Sequence, residues 1–144
     1  MIGERKKMNK LIIASHGSLS EGLLDSARFI MGNVEHVECI KAYVDPDVDY
    51  EKLIEEKVSE FDYSKGSLIV ATDLAGGSVN AEFSKHLYAF PFYLVAGVNL
   101  VTVISLITVL GGEIDEALIM RIAEDAKDTV VFCDKAMARQ NDDF

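Results

Sequence analysis

Two short segments hold the residues best suited to chemistry: Ala14-Ser15-His16-Gly17-Ser18 and Thr72-Asp73-Leu74-Ala75-Gly76-Gly77-Ser78. His16 and Asp73 each directly follow an apolar run of strand length. A carboxylate beside an imidazole accepts the N–H of one ring nitrogen, sets the tautomer and stabilises positive charge on the ring. The other nitrogen then keeps its lone pair pointing outward, as a nucleophile requires. Gly17 lets the backbone turn sharply and keeps space open beside the ring. Gly76, Gly77 and Ser78 offer backbone N–H groups at a helix start, a place where anions bind. Nucleophile, orienting carboxylate and anion cradle together suit phosphoryl transfer, which depends on in-line positioning and on stabilising the equatorial oxygens.

Each part also has a plainer reading. A histidine after a strand can be a loop residue or a cap. Gly-Gly-Ser after a strand is often a simple turn, and Asp73 can cap the helix that follows. Spacing alone leaves both readings open.

The elements that must position these residues alternate between strand and helix. Lys10 to Ser15 is a first apolar strand, and Ser18-Leu19-Ser20-Glu21 has the form of a capping box opening a helix. Leu19, Leu23, Ala27, Ile30 and Met31 follow at helical spacing, with Gly32 as the stop. His36 to Val44 reads as a second strand, and Tyr50, Leu53, Ile54, Val58 and Phe61 mark one face of a second helix. Ser67 to Thr72 is a third strand, followed by the Gly-Gly turn and a helix through Leu87. Phe92 to Ala96 is a fourth strand, and Asn99 caps a helix over Leu100 to Leu110. Ile114, Ala117, Leu118 and Ile122 place a last helix. Thr129 to Cys133 reads as a fifth strand.

Continuous apolar strands separated by amphipathic helices predict a doubly wound α/β fold: a mostly parallel five-stranded sheet with helices on both faces. Ligands of such sheets gather at the carboxyl ends of the strands, near the point where strand order reverses. Both chemical segments fall at such ends. The domain spans residues 9–135, preceded by a flexible extension over 1–8 and followed by a frayed tail over 136–144. Met8 is a plausible natural start. There is no internal repeat and no linker long enough to divide domains.

Composition narrows the function. The 24 acidic against 14 basic side chains leave a net charge of -10, which repels nucleic acid and anionic lipid and suits a basic patch on another protein. No apolar run is long enough to cross a bilayer, and the first residues have no signal-peptide pattern. Cys39 and Cys133 lack CxxC spacing and read as reduced packing residues of a cytoplasmic protein. His36 reads as a surface residue and His86 as exposed or packed at an edge. Neither is given a role. Tyr43, Tyr88, Phe90, Phe92 and Tyr93 read as core or subunit-contact aromatics.

The same chemical segments resemble the signature of the mannose-class (mannose–fructose–sorbose) IIA family of sugar phosphotransferase systems. Ile12-Ile13-Ala14-Ser15-His16-Gly17 is similar to its strand followed by S/T-H-G, and Leu23-Leu24-Asp25-Ser26-Ala27 is family-like. Thr72-Asp73-Leu74-Ala75-Gly76-Gly77-Ser78 resembles its T-D-L-x-G-G-S segment, and Ala96-Gly97-Val98-Asn99-Leu100 its A-G-V-N-L segment. The match runs in register from about Asn9 to about Lys135. Two departures flank it: the family's G-G-S-P-x-N reads Gly77-Ser78-Val79-Asn80 here, with no proline and one residue fewer, and Val101 replaces a common proline.

The resemblance implies a phosphocarrier of a sugar transport system, phosphorylated on the outer nitrogen of His16. It makes Asp73 the orienting partner and Gly17, Gly76, Gly77 and Ser78 the phosphate lining, with no metal and no cofactor. It implies a donor, the histidine-containing phosphocarrier protein, and an acceptor, a separate IIB component. It also implies a homodimer in which the last strand, here Thr129 to Cys133, can exchange between subunits. Two other readings compete. One is a regulatory protein of the same fold, phosphorylated on His16 but not feeding a transporter, which neighbouring IIB, IIC and IID genes would argue against. The other is a tetrapyrrole metal chelatase, which can also carry His-Gly-Ser after its first strand. That chemistry wants a second well-placed histidine, and His86 is poorly placed for it.

Overall fold

A computed structural model describes residues 8–142 of the 144. The extension expected over residues 1–8 therefore lies outside the described residues, except for Met8. Four strands form the sheet: β1 (Lys10–His16), β2 (Val37–Ala42), β3 (Leu68–Thr72) and β4 (Tyr93–Ala96). The described residues also form six helices: α1 (Leu19–Met31), α2 (Tyr50–Glu60), α3 (Ser78–Ser84), α4 (Leu100–Val109), α5 (Glu116–Lys127) and α6 (Lys135–Asp142). The strand order is β2-β1-β3-β4, and all three pairings are parallel.

Alternation along each strand explains why the sheet is covered on both sides. Leu11 and Ile13 of β1, with Ile69 and Ala71 of β3, face a core made with α1, α4 and α5 through Leu24, Ala27, Val103, Leu106 and Ile119. Ile12 and Ala14 of β1, with Leu68 and Val70 of β3, face α2 and α3 through Ile54, Val58, Val79 and Phe83. Successive residues serve opposite faces and both faces are dry, so β1 and β3 are apolar throughout.

At the amino ends of the strands, Asn9 is buried, and its side chain joins two elements. Its Nδ2 donates to the carbonyls of Leu110 (2.9 Å) and Gly112 (2.8 Å), and its Oδ1 accepts from the Ser67 amide (2.8 Å). Gly66 lies against the Met8 backbone, where an added Cβ would overlap the carbonyl. Backbone cannot retreat as a flexible side chain can. Gly66→Ala is therefore expected to cost about 1–3 kcal/mol, read as a lower urea midpoint with an unchanged slope.

The expected fifth strand is overturned. Thr129 to Cys133 is not a fifth strand: no described residue beyond Ala96 joins the sheet. A strand is stable only against a paired edge, and this segment makes no such pairing, leaving Val130, Val131 and Phe132 exposed. Cys133 is likewise exposed, whereas Cys39 is half-buried on β2. Of the tail set at 136–144, the described residues through 142 lie in α6, whose first turn is tied by Asp134, accepting from the Met137 amide at 2.9 Å, and 143–144 lie outside the described residues. That cap is a local interaction, which lets a short polar segment turn helical without an apolar stripe.

Candidate active site

From β1 the chain runs outward to β2, and β3 then returns on the other side of β1. The crevice between the carboxyl ends of β1 and β3 is thus the point where strand order reverses. His16 is the last residue of β1, and Asp73 directly follows β3, whose Thr72 is level with Ala14. The two sequence-predicted residues meet there. Asp73 Oδ2 accepts from His16 Nδ1 at 2.7 Å and from the His16 backbone N–H at 2.8 Å, while Oδ1 accepts from the Leu74 amide at 3.0 Å.

A carboxylate can only accept, so Nδ1 carries the ring proton and Nε2 keeps its lone pair. The Ser78 hydroxyl, 2.9 Å from Nε2, then donates to it. The Asp73 side chain is 8% exposed and that of His16 43%, so the carboxylate sits beneath a ring open to solvent. Burial pushes the Asp73 carboxyl upward. The hydrogen bonds from the His16 ring and backbone, with the positive charge that the ring carries when doubly protonated, outweigh it and hold the group below its ordinary value.

The loops around the pair are braced by residues that spacing did not single out. Ser15 is buried and its hydroxyl accepts from the Ser20 amide (2.8 Å) and donates to the Gly17 carbonyl (3.1 Å). It does the work expected of Ser18, whose side chain makes no capping bond, while Glu21 pairs instead with Lys41 at 3.2 Å. Gly17 has φ +61, and its amide donates to the Ala42 carbonyl at 3.1 Å. Gly76 has φ +73, which lets the chain reverse between β3 and α3. The Gly77 amide is spent on the Leu74 carbonyl at 3.1 Å, so among the expected phosphate-lining glycines two amides are already engaged. Gly77 contributes space instead: a Cβ there would stand 3.0 Å from Leu74 Cβ and 3.7 Å from His16 Cε1.

Asn99, in the third signature segment, caps α4 by accepting from the Thr102 amide (2.9 Å) and hydroxyl (2.7 Å). His36 is exposed. Tyr43, expected in a core or subunit contact, is half-exposed in this chain and so lies outside the core, with its ring centroid 5.5 Å from that of His16. The missed signal was its position one residue beyond the end of β2, the strand beside β1.

Residues 10–123 match the family described as the PTS (phosphotransferase system) fructose IIA component, and the chain belongs to this family. A candidate phosphoenolpyruvate-dependent sugar phosphotransferase system permease from Klebsiella pneumoniae is 34% identical, with a TM-score of 0.82 over 95% of this chain and 98% of its own. Two more distant structures share the fold. The PTS IIA protein of a Streptococcus pneumoniae fucose utilization operon is 24% identical, covering 90% of this chain and 96% of its own at a TM-score of 0.74. The mannose/sorbose-specific IIA subunit of Enterococcus faecalis is 23% identical, covering 88% and 95% at a TM-score of 0.71. No curated protein matches the chain by sequence. Among the described residues, no helix is long and apolar enough to cross a membrane.

Proposed function

We propose that this chain accepts a phosphoryl group on His16 Nε2 from a histidine-containing phosphocarrier protein and passes it to a separate IIB component of a sugar transporter. The observation that carries this reading is the pinning of Nδ1 by Asp73, which leaves the Nε2 lone pair facing Ser78 at the open crevice. In the transfer, the lone pair attacks phosphorus in line with the breaking bond to the donor's histidine. The N–P bond forms as that bond breaks, and the Nδ1 proton stays in place. The ring becomes cationic, and the Asp73 carboxylate already faces that charge, so little reorganisation is needed. The Ser78 hydroxyl exchanges its acceptor, turning from Nε2 to a phosphoryl oxygen, while Gly17, Gly76 and Gly77 leave room for the group. Family membership favours this chemistry over the chelatase reading.

The partner in an assembly is a second copy of the chain. β4 has an open edge, beside a groove of about 500 Å3 lined by Leu94, Val95, Ala96, Leu87, Ile119 and Met120. The exposed Val130, Val131 and Phe132 are apolar and β-prone, and a copy of residues 129–133 crossing from a second subunit would cover that edge.

Incubation with phosphoenolpyruvate, the general enzyme of the system and the phosphocarrier protein tests the reading. The chain should take up one phosphoryl group, acid-labile and base-stable as a phosphoramidate is, and lose it to a IIB component. A chain that stays unlabelled overturns it. Gly77→Ala should lower the uptake rate about tenfold, because the new methyl must push Leu74 by a few tenths of an ångström and fills the space beside the His16 ring that the incoming group needs. Stopped-time labelling measures that change.

A further inference from the structure

We infer that Tyr43 is a positioning residue for the phosphorylated form of His16, an inference that rests on the phosphocarrier reading above. Ala42 ends β2 level with His16 and accepts the Gly17 amide at 3.1 Å, so the next residue leaves the sheet beside the imidazole. That residue is Tyr43, and its backbone is in the left-handed region at φ +68. A bulky L side chain is rarely found there, whereas glycine or asparagine would take the conformation at little cost. The conformation brings a ring to the site: its centroid is 5.5 Å from that of His16, with the planes tilted by 48°.

A second ring holds the first. Tyr50, the first residue of α2, lies edge-on to Tyr43 at 5.6 Å, and its hydroxyl accepts from the Asp45 amide at 3.1 Å. The strained loop, the two tyrosines and the imidazole form one continuous chain of contacts. Asp73 grips the imidazole at Nδ1 from one side, and Tyr43 walls it from another.

The wall matters most after transfer. With a proton on Nδ1 and phosphorus on Nε2 the imidazole is cationic, and an aromatic ring within about 6 Å attracts a cation. The unphosphorylated ring, with one proton, is neutral and gains less. Tyr43 therefore stabilises the phosphorylated state selectively. It slows loss of the group to water, because the departing imidazole gives up that positive charge.

The test uses the full chain with Tyr43→Asn, which suits the left-handed backbone but removes the ring, and with Tyr43→Phe and Tyr43→Leu. Two quantities are read: the equilibrium between phosphorylated chain and phosphorylated donor, and the half-life of the isolated phosphorylated chain. Tyr43→Asn should shift the equilibrium toward the donor by about two- to fivefold and shorten the half-life by a similar factor. Tyr43→Phe should restore both, while Tyr43→Leu should not. A thermal melt no lower for Tyr43→Asn separates the effect from lost stability. Equal values for wild type and Tyr43→Asn overturn the inference, as does full rescue by leucine, which would mean that bulk suffices. A wild-type chain that takes no label at His16 would sink the phosphocarrier reading itself, which the variant comparison tells apart from a failure of Tyr43 alone.

Discussion

His16→Ala is expected to take up no phosphoryl group from the donor system, while its unfolding midpoint should stay close to that of the wild type. The two halves of this outcome have separate causes. The Nδ1–Asp73 bond leaves the imidazole's Nε2 with its lone pair, facing Ser78 at the crevice, and alanine offers no such atom. Ser78 is no substitute: its hydroxyl needs a base to become a nucleophile, and the ring that touches it is the one removed. The stability half follows from exposure. The His16 side chain is 43% exposed, so truncating it removes little buried surface. Asp73 also keeps two partners, the backbone amides of His16 and Leu74, so truncation leaves no buried carboxylate without a donor. Labelling followed by gel or mass analysis reads the first half and a urea titration the second. Labelling that persists in this variant would place the phosphate elsewhere and end the assignment.

Asp73→Asn should slow phosphoryl uptake by up to about 10⁴-fold, the scale seen when the carboxylate that sets a histidine's tautomer becomes an amide. The count of acceptors gives the reason. In the folded protein the carboxylate receives three N–H groups, two at Oδ2 and one at Oδ1. Asparagine has one oxygen to offer, and its amide nitrogen can only donate. If that oxygen stays with Leu74, the amide nitrogen faces His16 Nδ1 and favours the tautomer with the proton on Nε2, which removes the nucleophilic lone pair. If it turns toward His16, the Leu74 amide loses its partner and the ring loses its anion.

Acid tests the same group. Because the Asp73 carboxyl lies below its ordinary value in the folded chain, its stabilising effect is complete above the ordinary carboxylate range, about pH 4. It is lost only as pH falls through the lowered folded value. Wild-type stability should therefore show an acid-side loss that Asp73→Asn lacks. Single-turnover uptake for the two proteins, with urea midpoints across acidic pH, measures both effects. An Asp73→Asn chain that is labelled at the wild-type rate would show that the carboxylate does not orient the ring.

Much of this site was legible before any coordinates. The apolar runs that become β1 and β3 set their own ends, so His16 and Asp73 had to emerge at one edge of a parallel sheet. Asn99 was legible as a cap for the same reason, since a cap and its amide are three residues apart. The local reading failed where two local answers competed. Ser18 has the right spacing for a capping box, yet buried Ser15 supplies the bond to the start of α1, because Ser15 is held by β1 at the distance the Ser20 amide requires.

Composition and spacing by themselves determined the alternation of strand and helix and the two-sided core, and put a histidine and a carboxylate at two strand ends, because those depend on residues a few positions apart. Tertiary structure alone decided that Ser78 faces Nε2 across 62 positions, that Tyr43 stands against the imidazole, and that residues 129–133 leave the sheet with four strands. Those outcomes depend on strand order, on a single left-handed backbone angle and on which edges find partners. Such quantities are set by packing between distant segments, and no periodicity within a segment encodes them.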